Sequence, residues 1–263
     1  MERTMKRKAA AAAAALALIT GGAVLAGCGS DSSSGGAAAS TAASTTAQAP
    51  NGVEKLSAQE ILDASLKAAN AASSVTVTGD ITNDGQQVKL DLELGTDAAQ
   101  GTFSAQGINA EIRVVGGKSY FKLSGEDFAK VAGEGDNPEV AKAISSLLGD
   151  KWIAAPQDAG DDLGGLGEFG QKDNLLKGIL EADGTVTVKG TGEVNGTPVV
   201  FLEDTKGEGT LAIQTVGEPY PVQIKGDGTD GSGKITFSDW NAPVSVTAPT
   251  DVVDIGELAK LGD

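Results

Sequence analysis

The chain has no histidine, a single cysteine and only ten aromatic side chains in 263 residues. Without histidine, Ser-His and Cys-His nucleophile pairs, histidine general bases and His-based zinc sites are all excluded. Without a second cysteine there is no intrachain disulfide framework. The chain therefore reads as a non-enzyme, with no catalytic residues, no metal site and no cofactor. Basic residues are also scarce, 20 Lys and Arg against 36 Asp and Glu. Phosphate backbones are held by Lys/Arg patches, so nucleic acid is not expected as a partner. A membrane span needs about 20 predominantly apolar residues, and the greasy run over residues 9–19 is broken by Thr20, Gly21 and Gly22. Two local strings imitate sites. Ser119-Tyr120-Phe121-Lys122 matches the S-x-x-K pattern of Ser/Lys acylases. That mechanism brings Ser and Lys together at a helix N-terminus, whereas in a strand positions three apart face opposite sides. Residues 227–233, "DGTDGSG", have the look of a calcium loop but lack the alternating oxygen ligands and closing Glu of an EF-hand. A hairpin turn is expected there.

What is present begins with a cationic stretch, "MERTMKRK", followed by the apolar block and then small residues. This is the layout of a secretory signal peptide over residues 1–27. Leu25-Ala26-Gly27-Cys28 resembles the bacterial lipobox, and that resemblance implies a thioether-linked diacylglycerol on Cys28 Sγ. Each buried CH₂ adds about 0.8 kcal/mol of membrane affinity, so two chains hold a body at a bilayer where one is marginal. Removing the signal leaves 16 basic and 35 acidic residues, formally −19, which repels anionic headgroups and makes the covalent anchor the expected attachment. The expected location is the extracytoplasmic face of the cell membrane. Residues 28–55 are expected to be the acylated cysteine and a flexible Ser/Ala/Thr/Gly tether, with a span of roughly 25–30 Å. Residues 56–263 are long enough for one domain burying about 70% of its unfolded surface.

That body opens on Ser57-Ala58-Gln59-Glu60, a capping box, followed by Ile61, Leu62, Leu66 and Ala69 on one helical stripe. Alternating segments follow. Val75, Val77 and Ile81 oppose Thr76, Thr78 and Asp80. Val88, Leu90, Leu92 and Leu94 oppose Lys89, Asp91 and Glu93, and Ile108, Ala110, Ile112 and Val114 oppose Asn109, Glu111 and Arg113. Asn83-Asp84-Gly85 and Gly116-Gly117 supply positive-φ residues for hairpin turns. In the middle, Asn137-Pro138 reads as cap and first helical residue, with Val140, Ile144, Leu147 and Leu148 as a stripe ended by Gly149. A short helix carries Leu175, Leu176, Ile179 and Leu180. Alternation returns over residues 186–188, 194–202, 210–216, 221–225 and 234–240. About ten strands against three or four short helices give an α+β protein with an antiparallel sheet wet on one face. Its apolar face must be covered, either by curling on itself or by forming a concave half-barrel whose helices close over a cavity.

The lipobox, the tether, "AANAASSVTVTGDI", "IRVVGGKSYFKL", "DKWIAA", "GEPYPVQI" and above all "ITFSDWNAPVSVTAP" resemble the actinobacterial LppX/LprAFG lipoproteins. The resemblance runs over residues 58–249. It implies a strongly curved antiparallel half-barrel with helices on its concave side, similar to the lipoprotein carrier LolA. It also implies binding of the acyl chains of lipids or lipoglycans, transport of that cargo toward the envelope, and no catalytic step. An envelope lipid exporter is the further partner considered. On such a fold the cavity lining is expected from Val77, Leu92, Phe103, Ile112, Phe121, Leu211 and Ile213, with Ile144 and Leu147 from the helix stripe. The glycine-rich stretch bearing Leu163, Leu166 and Phe169 is expected as a lid or portal. Trp152 and Trp240 read as rim-of-core residues. The alternative function is an anchored interaction or scaffolding lipoprotein with a packed core and no ligand.

Overall fold

Strands come from sequence with period two and helices from stripes of period 3.6, and both dominate here. The computed structural model describes residues 49–83, 85–131, 137–155, 171–180, 185–205, 209–227 and 231–254. The chain divides into two units, Met1–Thr45 and Thr46–Asp263, and the described residues belong to the second. Cys28, the signal peptide and the proposed lid residues Leu163, Leu166 and Phe169 lie outside the described residues.

Helix α1 (Ala58–Ala71) starts with the capping box that its sequence announces. Ser57 Oγ accepts the Glu60 N–H at 3.4 Å, and Ser57 N–H donates to Glu60 Oε2 at 2.9 Å. The Ser57 hydroxyl, and next the Ser57 N–H, hold the Glu60 carboxyl below the usual carboxylate range. Because the folded-state pKa is lowered, the stabilisation is present above the unfolded-state value and fades as pH falls through the folded-state value. Ser57→Ala is expected to cost about 1 kcal/mol, read as a lower urea midpoint. The gap between wild type and Glu60→Gln is expected to narrow as pH is taken into the acid range.

From α1 the chain runs as a meander through β1 (Ser74–Asn83), β2 (Gln86–Gly95), β3 (Ala98–Ala105), β4 (Ile108–Val115) and β5 (Lys118–Leu123). Then come helices α2 (Gly125–Val131) and α3 (Pro138–Leu148), strand β6 (Trp152–Ala155) and helix α4 (Lys172–Leu180). A second meander follows: β7 (Val186–Val194), β8 (Thr197–Asp204), β9 (Gly209–Gln214), β10 (Pro221–Asp227) and β11 (Gly231–Ser238). The short β12 (Val252–Asp254) ends the order. One twelve-stranded sheet results, in the order β12-β6-β5-β4-β3-β2-β1-β11-β10-β9-β8-β7. Pairing of β1 with β11 joins the meanders. All ladders are antiparallel except β12 on β6. The sheet does not close: β12 and β7 are its edges, and the architecture is the open half-barrel of an α+β protein.

Sequence alternation and observed strands differ in instructive places. Residues 194–202 read as one strand, yet the chain turns over at Asn195 and Gly196, both at positive φ (51° and 81°), as a two-residue hairpin requires. The Gly116-Gly117 turn is found as expected, with φ 56° and 78°. Helix α2 was not anticipated. It crosses α3 at Gly125, where a Cβ would lie 2.4 Å from the Ser145 Cα; only glycine permits that approach. Residues 49–55, assigned to the tether by composition, already lie on the body. Asn51 N–H donates to Thr215 O at 2.9 Å, and Val53 is buried.

The string "FSDWNAPV" acts as a clamp. Asn241 Oδ1 accepts the Ser73 N–H at 2.8 Å, while its Nδ2 donates to the Tyr220 hydroxyl at 2.7 Å. Tyr220 stacks on Trp240 with centroids 4.6 Å apart. The segment beyond passes Arg113, whose Nη1 donates to Thr247 O at 3.5 Å, and reaches β6 through the Trp152 N–H to Asp251 O bond at 2.9 Å. Trp152 is buried, with the Arg113 guanidinium 4.5 Å over its ring.

Candidate functional site

Register and alternation place apolar side chains in continuous rows along one face. One row crosses ten strands: Leu123, Ala110, Phe103, Leu90, Gly79, Ile235, Ile224, Leu211, Leu202 and Val188 are successive cross-strand partners. A neighbouring row runs Val253, Ile153, Phe121, Ile112, Gly101, Leu92, Val77 and Phe237. The opposite face carries Thr76, Thr78, Asp91, Glu93, Glu111 and Arg113 on the same strands, the polar partners in the alternation. Ser119 and Lys122, the S-x-x-K pair, fall at odd and even positions of β5 and so on opposite faces.

Short helices cover this apolar face. Phe128 and Ala129 of α2, Ile144 and Leu148 of α3, and Leu176 and Leu180 of α4 belong to one buried cluster with Val77, Leu92, Phe103, Ile112 and Phe121. Leu147 is half-buried against the same cluster. Helix α1 covers the other meander: Ile61 and Leu62 pack with Val200, Leu202 and Ile213, and Leu211 bridges both clusters. All nine side chains expected to line a cavity thus lie in apolar clusters between sheet and helices, with Ile213 under α1 and the rest in the larger group.

Burial is uneven along the face. Phe121 is 1% exposed, but the band formed by Ile108, Ala105, Val88 and Ile81, successive partners in adjacent strands, is only half-buried. Leu211 and Ile224, in the first row, are half-buried as well and widen the band on the same face, and Val140, Leu147, Leu175 and Ile179 are half-buried helix residues packed against the same cluster. Val188, at the edge, is 44% exposed. Of the band residues only Leu211 is among the lining residues expected from sequence, although the alternation of "VTVTGDIT", "VKLDLEL" and "INAEIRVV" already puts Ile81, Val88 and Ile108 on this face. On α1, Ser65 is 1% exposed and its Oγ has no hydrogen-bond partner among the described residues. An orphaned buried hydroxyl costs about 1–3 kcal/mol. Ser65→Ala is therefore expected to raise the denaturation midpoint of lipid-free protein, by about 1 kcal/mol.

At one end of the face a cavity of about 540 Å³ opens between the C-terminal end of α1, the β2–β3 turn and the start of α4. Asn70, Ser73, Thr96, Asp97, Gln171, Lys172, Asp173 and Asn174 make its wall polar, and Val114 and Ala98 connect it to the sheet. Lys172 is 5% exposed; its ammonium donates to Asp173 Oδ1 at 2.6 Å and to Ala69 O at 3.5 Å. The arrangement offers a large apolar surface with one polar end. Among the described residues no group of three or more His, Cys, Asp or Glu is disposed to hold a metal ion, and no helix is long and apolar enough to cross a membrane.

No protein-family model matches the sequence, and no curated protein matches it. Among solved structures, the chain is similar to LprF from Mycobacterium bovis, with 18% identity over 73% of this chain and 96% of that one, at a TM-score of 0.49. It is also similar to the lipoprotein LppX of Mycobacterium tuberculosis, with 19% identity over 73% of this chain and all of that one, at a TM-score of 0.42. The solved structures that this chain is similar to include two mycobacterial proteins of the kind its sequence resembles, the LppX/LprAFG lipoproteins.

Proposed function

We propose that the chain is a lipoprotein, anchored by an acylated Cys28 on the extracytoplasmic face of the cell membrane, that holds lipid acyl chains on the apolar face of its half-barrel and carries them across the envelope. The observation that carries this reading is the apolar row continued across ten strands and covered, among the described residues, by short helices, with a half-buried band at Ile81, Val88, Ile108, Leu211 and Ile224. A core built only to be stable closes such a band to native packing density. Half-covered aliphatic side chains are instead matched to a ligand that is itself apolar. Cargo of the lipid or lipoglycan class satisfies both the apolar face and the polar cavity beside it. No proton transfer or nucleophile enters the account, in keeping with a chain without histidine.

A second reading, an anchored scaffold without ligand, draws on the near-complete burial of Val77, Leu92, Ile112 and Phe121. Native mass spectrometry of the chain purified from its own cell separates the two. A bound species of lipid mass, recovered by organic extraction, is expected for the carrier; a bare protein mass that takes up no added lipid supports the scaffold. Anchoring is tested separately. Cys28→Ser is expected to move the protein out of the acyl-labelled, detergent-requiring fraction, whereas unchanged acyl labelling would contradict the assignment of Cys28.

A further inference from the structure

Lysine is rarely buried, because removing an ammonium from water is costly unless partners replace the hydration. Lys172 is buried nonetheless, in the wall of the 540 Å³ cavity, where it is the one cation among the described lining residues. Its partners are few. Asp173 Oδ1 lies at 2.6 Å, but that carboxylate side chain is 74% exposed. Ala69 O, near the C-terminal end of α1, stands at 3.5 Å, the outer limit of a hydrogen bond. An ammonium has three N–H donors, so one strong and one marginal acceptor leave capacity. Only the Asp173 end of the pair faces water, so an incoming anion that takes its place returns a solvated carboxylate to water and keeps the buried ammonium paired. The N–H groups of Asp173 and Asn174, in the first turn of α4, have no carbonyl within their own helix. Asn70, Ser73, Thr96 and Gln171 supply further polar atoms to the same wall.

We infer that this cavity is the site for an anionic group, a phosphate or carboxylate, at the polar end of the bound lipid, with Lys172 as its counter-ion. The inference rests on the carrier reading. The cavity adjoins the apolar face through Val114, whose cross-strand partner Ala99 pairs in turn with buried Leu94. Its volume lies within the range of about 300–1,000 Å³ usual for small-ligand sites. Asp97 and Asp173 at the exposed rim, on a chain of net charge −16, disfavour free anions. An anion brought in by its own acyl chains overcomes that repulsion through high local concentration.

The test offers the full chain, purified in detergent, an equimolar mixture of dioleoyl-phosphatidate and dioleoylglycerol, and reads the bound ratio by native mass spectrometry. Phosphatidate is expected to be favoured by about tenfold or more, the scale of one charge-assisted hydrogen bond. Lys172→Gln is expected to abolish the preference, and Lys172→Arg to keep it. Equal uptake of the two lipids by wild type overturns the inference and leaves the carrier reading standing, and no variant is needed to see it. A preference that survives Lys172→Gln also overturns it. If neither lipid binds, the carrier reading fails. In that case protection of the α4 amides from exchange by inorganic phosphate, lost in Lys172→Gln, would assign the cavity to a free anion, and no protection would overturn the anion site as well.

Discussion

Gly101→Val is expected to be among the most destabilising substitutions in the sheet, at about 2–6 kcal/mol or more. Gly101 sits in the second apolar row between Leu92 and Ile112, with φ at +151°. That conformation is essentially closed to residues with a Cβ, and such strain costs about 1–3 kcal/mol. A Cβ there would also meet the Asp91 carbonyl oxygen at 2.0 Å and the Leu92 Cα at 2.8 Å. Both are backbone atoms of a paired strand, which cannot swing aside as a side chain can. Overpacking adds roughly another 1–3 kcal/mol or more. Against a total stability of about 5–15 kcal/mol, the sum removes a large share of the stability and lowers the urea midpoint accordingly. Circular dichroism and a urea titration report it, and a midpoint equal to wild type would show that β2 and β3 do not pair as described.

Phe121→Ala is expected to cost about 3–5 kcal/mol and to weaken lipid uptake as well. Phe121 is flanked by Ile112 on β4 and Ile153 on β6, and it shares its cluster with Phe128 of α2 and Ile144 of α3. Truncating it opens space between the sheet and the helices that cover it, so both transfer free energy and a cavity contribution are lost. The size of the loss is itself informative. A cost at the upper end indicates that Phe121 is locked between sheet and helices in the empty protein, whereas a cost below about 1 kcal/mol would mean that its neighbours do not pack tightly around it.

How much of this was legible in the sequence follows from what each segment buries. Strands β1, β2 and β4 have one wet and one dry face, so their alternation is complete. Strand β3, "AAQGTFSA", carries alanine and glycine beside a single large residue, Phe103, at the positions that face the helices, and small residues give little apolar signal. Strand β7, "VTVKGTGEV", is an edge with most residues exposed, so alternation marks only its start. Strands β6 and β12 are three or four residues long and exist by pairing with each other and with β5. Helix α2 occupies seven residues and is placed by its glycine contact with α3, a tertiary fact. The capping box and the Asn137 cap, by contrast, are local chemistry and read directly.

The site divides in the same way. Val77, Leu92 and Ile112 could be named because each lies on an alternating strand, and Phe103 and Phe121 because they are large apolar residues of β3 and β5; register then brings the five side by side. Which part of that face is fully covered depends on helices contributed from far along the chain, so the half-buried band at Ile81, Val88 and Ile108 had no sequence mark of its own. Lys172 had none either. A lysine is ordinarily solvated, and its burial here depends on the end of α1, about a hundred residues earlier. The opposite lesson comes from "FSDWNAPV", whose distinctive residues are used to tie β1, β10 and the C-terminal segment together.

The central claim is that acyl chains lie along the apolar face of the half-barrel. A phospholipid with a photoactivatable diazirine in its acyl chain, loaded onto the full chain and mapped by peptide mass spectrometry, tests it most directly. The account predicts cross-links on the band residues of β1, β2, β4, β9 and β10, namely Ile81, Val88, Ile108, Leu211 and Ile224. Cross-links confined to the polar face, at residues such as Thr78, Asp91 and Glu111, or none above a non-lipid diazirine control, would contradict it.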